Sequence, residues 1–399
     1  MPFLPMNRGL PPDRERRNTP AADSPLRVLM VSDWFFPKTG GIEWQVRDLA
    51  CQLQHRGHRV SVLTPTPGPA EESGIPVIRL RTGRFPFFGF MCTPAGFRRL
   101  AEHLRKTAPD VVHIHLSYVA PAAFAAAAFC RRQRIPAVVT FHSILDRFAA
   151  VLAAADRLAG WSRWPLVFST VSRRVAADLT GRGIPVELHP APNGIDPGWW
   201  QAANRPETSP KDPVKLVTVM RLSPRKRALA LVDMMDRLVA RPAVPPVTLT
   251  IIGDGLQRRK LAQAIMRRGL QSVIHLAGYR SREEIRRIFS RSDIFVMPSR
   301  LESFGIAALE ACCAGLPVVA MSASGIAEWL TDGLNGLIAD DDAHMIDCLS
   351  RLVMDVRLRE SIRRHNRCQA LPFSWDRVVA RHLSLYRAAI GRAAPGPAR

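Results

Sequence analysis

Short runs of β-branched and other apolar residues recur along the 399-residue chain, each followed by a stretch of helical periodicity. Five fall in the first half, at 26–32, 58–64, 111–116, 137–141 and 167–171, and five in the second, at 215–220, 247–252, 273–277, 294–297 and 318–321. The runs are nearly continuous in apolar residues rather than alternating with polar ones. Strands of that kind are buried on both faces, as in a parallel sheet covered by helices. The fold class is therefore α/β. A proline-bearing stretch at 190–200 and a polar one at 201–213 separate the two sets. Together they predict two doubly wound, Rossmann-like domains facing a cleft, with ligands at the carboxyl ends of the strands. The expected organisation is a leader over 1–25, a first domain over 26–195, a second over 196–372, and a terminal helix from about Trp375 to Ile390 within 373–399.

Composition narrows the function classes. Hydrophobic residues make up 47% and charged residues 23%, enough apolar material for two full cores. No apolar run approaches the roughly 20 residues of a membrane span; the longest, 119–130, is short and rich in alanine. The first 25 residues carry Arg8, Arg14, Arg16, Arg17 and several prolines without an apolar core, so they read as a disordered leader and not a signal peptide. Seven cysteines, an odd count without close repeated spacing, argue against a disulfide framework and a zinc site. A cytoplasmic chain is expected. The net charge of +22, nearly all arginine, favours an anionic partner: a membrane surface, a nucleic acid or a phosphorylated substrate. With 7% aromatic residues and no nucleic-acid motif, a noncatalytic nucleic-acid binder ranks lowest of these.

Residues 299–317 carry the densest chemistry. They follow the apolar run at 294–297 and open a short helix, with Ser303 as expected N-cap and Gly315 and Pro317 closing it. Gly305 lets a ligand approach the backbone. Glu302 precedes the first turn and Glu310 lies inside the helix. A helix N-terminus suits a phosphate, and a carboxylate accepts from paired sugar hydroxyls. At the first strand-to-helix junction, Gly40 and Gly41 likewise allow close approach to an anion. Arg221 and Lys226, directly after the first strand of the second set, offer a planar fork and a mobile point charge that together suit a diphosphate.

Glu302-x7-Glu310, with Phe304-Gly305 inside and Ala-Gly-Leu-Pro after it, resembles the signature of retaining glycosyltransferases of family 4, which adopt the GT-B fold. The unit from Val31 to Glu43, with Arg56-Gly57-His58 downstream, is similar to that family's opening unit, and Pro192–Asp196 to its interdomain segment. The family's usual form has Gly after the lysine, whereas this chain has Arg227. The resemblance implies transfer of a hexosyl unit from a UDP- or GDP-linked sugar to an acceptor hydroxyl with retained configuration, needing neither a metal nor another cofactor. It implies that Arg221, Lys226 and the N–H groups of Ser303, Phe304, Gly305 and Ile306 face the phosphates, and that Glu310 accepts from the ribose. Glu302 and His142 would meet the hexose, and Gly253, Tyr279 and Arg280 would lie by the base. It also implies that the last helix crosses back to the first domain.

Other features are expected to be structural. His113 and His115 share one face of a strand, but no third ligand is visible, so no metal is expected. Asp340–Asp342 mimics an acidic metal motif and reads as a solvated turn. The stretch Arg79–Phe90 interleaves arginines with Phe85, Phe87, Phe88 and Phe90, a pattern suited to anionic lipid headgroups. A lipid-linked or cell-envelope acceptor, met peripherally at the inner face of the plasma membrane, is the leading expectation. A soluble cyclitol or sugar acceptor stays open.

Overall fold

The computed structural model describes residues 24–80, 94–118, 120–201, 212–369 and 371–393. Nearly all of the expected leader lies outside this set, as do Phe85, Phe87, Phe88 and Phe90. Among the described residues the first sheet runs β1 (Arg27–Ser32), β2 (Arg59–Thr64), β3 (Glu71–Glu72), β4 (Ile75–Arg79), β5 (Val111–Leu116), β6 (Ala137–Phe141), β7 (Val167–Thr170) and β8 (Leu188–Pro190). Its spatial order is β3-β4-β2-β1-β5-β6-β7-β8. The second sheet comprises β9 (Val214–Val219), β10 (Val247–Ile252), β11 (Ile274–Gly278), β12 (Ile294–Met297), β13 (Val318–Met321) and β14 (Gly336–Ala339), in the order β11-β10-β9-β12-β13-β14. Only β3 pairs antiparallel among them. All ten sequence-predicted strands are present. The two sheets place the order reversal beside β1 and β9, where an open parallel sheet makes its ligand crevice.

Helices supply the crossovers: α1 (Gly41–His55), α2 (Pro94–Thr107), α3 (Pro121–Gln133), α4 (Arg147–Ala159) and α5 (Arg173–Thr180) with the first sheet. The short α6 (Pro197–Trp200) leads into the second sheet, which has α7 (Ala228–Val239), α8 (Arg258–Arg267), α9 (Arg282–Ser290), α10 (Ile306–Cys313), α11 (Asp342–Met354) and α12 (Val356–Cys368). The last helix, α13 (Trp375–Ala393), returns to the first sheet. Its Val378, Val379, Leu385, Tyr386 and Ala389 pack with Val46, Leu49 and Leu53 of α1 against Val111, Val138 and Val167. A polar tie accompanies this packing, because the Tyr386 hydroxyl lies 2.9 Å from Nδ1 of buried His113. The chain crosses between the sheets twice, side by side: Ile195 N–H donates to the Phe373 carbonyl at 2.9 Å. Gln45 of α1 clasps Gly194 there, its amide donating to the Gly194 carbonyl and its oxygen accepting from the Gly194 N–H, both at 2.9 Å.

Cross-sheet contacts close the cleft. Glu328 of the second half accepts from the backbone N–H groups of Arg173 and Arg174, the open first turn of α5. Arg225 donates to the Ile144 carbonyl at 2.8 Å, and the Ile144 N–H donates to Ser303 Oγ at 3.0 Å. Ser303 is thus not the N-cap of α10. Its hydroxyl is committed across the cleft, and the cap position belongs to Gly305 at φ 81°.

Candidate active site

The carboxyl end of β9 leads into Arg221 and then a turn holding Arg225, Lys226 and Arg227, while the carboxyl end of β12 leads to Glu302 and α10. These strands are neighbours in the sheet, so the two loops meet. Lys226 Nζ and Glu302 Oε2 form an ion pair at their junction. Gly305 must be glycine on two counts: its φ is positive, and a Cβ there would lie 2.2 Å from Ile326 Cγ1. Among the described residues nothing accepts from the N–H groups of Ile306, Ala307 and Ala308 in the first turn of α10. A Cβ on Gly41 would meet Ile306 Cδ1 at 3.2 Å, so the two glycine-bearing turns oppose each other directly.

The loop before α1 contributes charge as well as glycines. A Cβ on Gly40 would lie 3.2 Å from an Arg221 guanidinium nitrogen and 2.5 Å from Glu43 Oε2. Burial raises the Glu43 carboxyl above its usual range, with Arg221 and Lys38 opposing. Lys38, its ammonium 3.2 Å from the centroid of the Trp34 ring, is lowered by burial and by the nearby Arg221. Lys38, Arg221 and Lys226 thus ring the cleft between Gly40-Gly41 and the tip of α10. Lys38 sits two positions before Gly40, so its place was readable in the loop; Glu43 and Arg225 carried no separate signal.

Glu310 is 8% exposed, and its Oε1 accepts from Arg282 Nη2 at 3.2 Å. Burial pushes its carboxyl up to about 7, with Arg282 opposing. Arg282 also donates to Asp48 of α1 at 2.7 Å, tying the two domains beside the cleft, and its guanidinium carbon lies 4.8 Å from the Trp44 ring centroid. No sequence pattern marked Arg282, one of four arginines between positions 280 and 287.

The remaining expected residues divide. Phe304 is buried and packs on Phe373, leaving only its backbone at the cleft, where its carbonyl accepts from Trp329 Nε1 at 2.9 Å. Gly253 has φ 127°, and a Cβ would fall 1.9 Å from the Met220 carbonyl oxygen, so the end of β10 lies hard against the end of β9. Tyr279 is exposed, and Arg280 pairs with Glu284, both beyond β11 at the edge of the sheet. His142 is half-buried at the end of β6, its Nε2 3.0 Å from Nδ1 of His115. Burial lowers it to about 3 and His115 well below its usual value, so both rings are neutral. His113 uses both nitrogens on hydroxyls, those of Tyr386 and Thr140.

Asp340 and Asp341 stand exposed in the bend before α11, as expected of a solvated turn, and Asp341 also caps the helix by accepting from the His344 N–H. Asp342 does more than the sequence suggested, since it takes Arg227 and Arg300. Arg79, the first of the arginines expected to meet lipid headgroups, is committed instead to the Pro69 and Thr66 carbonyls.

Comparison with known proteins fits this geometry. The family model for glycosyl transferases group 1 matches residues 201–368, and that for glycosyltransferase family 4 matches 39–199. The chain belongs to this glycosyltransferase family. It is 29% identical to a glycogen synthase of Mycobacterium tuberculosis, over 91% of this chain and 95% of that protein. It is 26% identical to a GDP-mannose-dependent alpha-mannosyltransferase of the same organism, over 92% and 98%. The Anabaena HepE structure in complex with UDP and glucose superposes with a TM-score of 0.74 at 21% identity, covering 90% of this chain and 98% of that one. The fold is GT-B, and the chain is a glycosyltransferase.

Proposed function

We propose that the enzyme transfers a hexosyl unit from a nucleoside diphosphate sugar to an acceptor hydroxyl with retention of configuration. The observation that carries this reading is the convergence of Lys38, Arg221 and Lys226 on the tip of α10 at Gly305. In the step, the bond from the anomeric carbon to the β-phosphate oxygen breaks and a bond to the acceptor oxygen forms. The nucleoside diphosphate departs with the electron pair, and its phosphate takes the acceptor's proton. Negative charge grows on the leaving phosphate, where three cations and free N–H groups, fixed in advance by the fold, stabilise it most. This scheme needs no metal and no protein nucleophile.

Glu302 holds Lys226 at the mouth of the cleft and offers its second oxygen to a hexose hydroxyl. Glu310 keeps Oε2 for the ribose while Arg282 occupies Oε1. Neutral His142, steadied by His115, presents a ring nitrogen as donor or acceptor to the sugar without adding charge. Retention is supported by the Glu302-x7-Glu310 signature. UDP- or GDP-linked hexoses are the donors proposed, in line with the UDP and GDP-mannose named for HepE and the mannosyltransferase. A lipid-linked acceptor met at a membrane surface remains the proposed acceptor class; no helix among the described residues is long and apolar enough to cross a bilayer.

Release of UDP or GDP from a panel of sugar nucleotides, with proton NMR of the glycoside formed, tests the reading. A product whose anomeric coupling matches the donor supports it. Inverted product, or no release from any UDP- or GDP-hexose in the presence of acceptors, overturns it.

A further inference from the structure

A cavity of about 220 Å³ opens between α3 and α4 at the carboxyl ends of β5 and β6. Phe124, Phe141, Leu145, Phe148, Val151 and Leu152 supply most of its wall, and the polar side chains lining it are Ser117 and Tyr118. An apolar cavity of about 150 Å³ is already enough to stay dry and take up benzene. A sugar or cyclitol placed here would bury hydroxyls with few partners, which is unfavourable for each one. The wall therefore selects hydrocarbon.

The two ends of the cavity differ. On one side the Tyr118 ring lies 4.5 Å from the guanidinium carbon of Arg225, the residue before Lys226. The adjoining Ile144 backbone bonds to both Arg225 and Ser303, so this end abuts the proposed transfer site. On the other side the wall continues onto an uncovered stripe of α4, with Phe148 42%, Val151 62% and Leu158 90% exposed. These positions share one helical face and extend it by about 15 Å.

We infer that the acceptor is an amphiphile whose hydrocarbon chain fills this cavity and runs along α4, while its hydroxyl-bearing head meets Lys226. The inference rests on the transferase reading above and adds the place in the fold that takes the acceptor's hydrocarbon chain. Each methylene moved out of water into such a wall is worth roughly fourfold in affinity, so a short chain is enough to discriminate.

The test compares matched methyl and octyl glycosides of common hexoses as acceptors, using the full chain and a UDP- or GDP-hexose that raises its melting temperature. The wild type should favour the octyl member by at least about tenfold in kcat/KM. Val151→Asp and Phe148→Asp, both at exposed positions, should bring that ratio close to one. Their melting shift with the donor reports that they are folded. Equal use of methyl and octyl acceptors, or an unchanged ratio in both variants, overturns the proposal. In parallel, the neutral fluorophore N-phenylnaphthylamine should bind the wild type saturably, be displaced by octyl glucoside, and lose affinity in both variants. Absence of that binding overturns the cavity assignment whatever the activity. Binding retained without transfer to any acceptor would instead overturn the transferase reading, and the acceptor assignment with it.

Discussion

Arg227 shows how one residue reconciles a local cost with a distant gain. It holds φ at 59°, a left-handed conformation that the family's usual glycine adopts freely. In exchange its guanidinium bridges the Pro298 carbonyl and Asp342, bracing the turn that carries Lys226. Arg227→Ala loses those bonds and keeps the strain, whereas Arg227→Gly loses the bonds and relieves it. Urea denaturation should therefore find the Ala variant less stable than the Gly variant by about 1 kcal/mol. Equal stability would show that the backbone carries no strain. The sequence identified the odd residue after Lys226, but not its compensation, because Asp342 lies over a hundred positions away and reads locally as one of three exposed acids.

At the scale of elements, helix ends are held by side chains from other elements. Asp33, at the end of β1, accepts from the N–H groups of Ala122 and Ala123 at 2.9 and 3.0 Å, closing the first turn of α3. Burial pushes its carboxyl up to about 7, and those bonds oppose the shift. Asp33→Ala leaves two buried donors unmet and should cost about 2–4 kcal/mol in a denaturant titration. A loss under 0.5 kcal/mol, within the range of a neutral surface substitution, would mean the helix end is satisfied otherwise. Ten parallel strands were legible because buried parallel strands write themselves as continuous apolar runs. β3, β4, β8 and β14 fall outside those ten; they lie at or next to a sheet edge, where strands can be short and tolerate proline and polar residues, as in Ile75-Pro76-Val77 and Leu188-His189-Pro190. The tip of α10 was found with its boundaries shifted: Ser303 has the chemistry of an N-cap, but a cross-cleft partner outside the local sequence claimed it. Arg282 was invisible for the same reason, since its meaning arises only when Asp48 and Glu310 arrive from opposite sides.

The whole molecule is two sheets joined by two adjacent crossings and fastened across the cleft by Arg282 and Glu328. Removing one member of a buried charged group leaves its partners uncompensated, typically at a cost of about 3–5 kcal/mol. Arg282→Met should lower stability by that order and also weaken donor binding, because Glu310 and Asp48 lose their common anchor. Unaltered melting and donor affinity would contradict the latch. Beneath the cleft, buried His113, His115 and His382 and half-buried His142 are neutral, His142 and His382 lowered to about 3 and about 4 from 6.5. Unfolding below pH 6.5 therefore takes up protons at these four groups, so stability falls as pH drops, by about 1.4 kcal/mol per unit per group. Asp33 and Glu310, raised to about 7, act in the opposite sense, losing stability as pH rises from their unfolded values of 3.8 and 4.5. Four groups outweigh two below pH 6.5, and only the two remain above it, which places the maximum near pH 6.5–7. Denaturation midpoints measured from pH 5 to 8 should show that maximum; a midpoint that does not fall toward pH 5 would contradict the neutral histidine cluster.

The central claim is that cations from both domains and the tip of α10 receive a diphosphate. Isothermal titration of UDP and GDP into the wild type, Arg221→Ala, Lys226→Ala and the double variant measures it most directly. The account predicts that the preferred diphosphate binds the wild type, that each single variant weakens it at least about fivefold, as expected for the loss of one charge-assisted bond, and that the double variant weakens it further. Unchanged affinity in the double variant would contradict the claim.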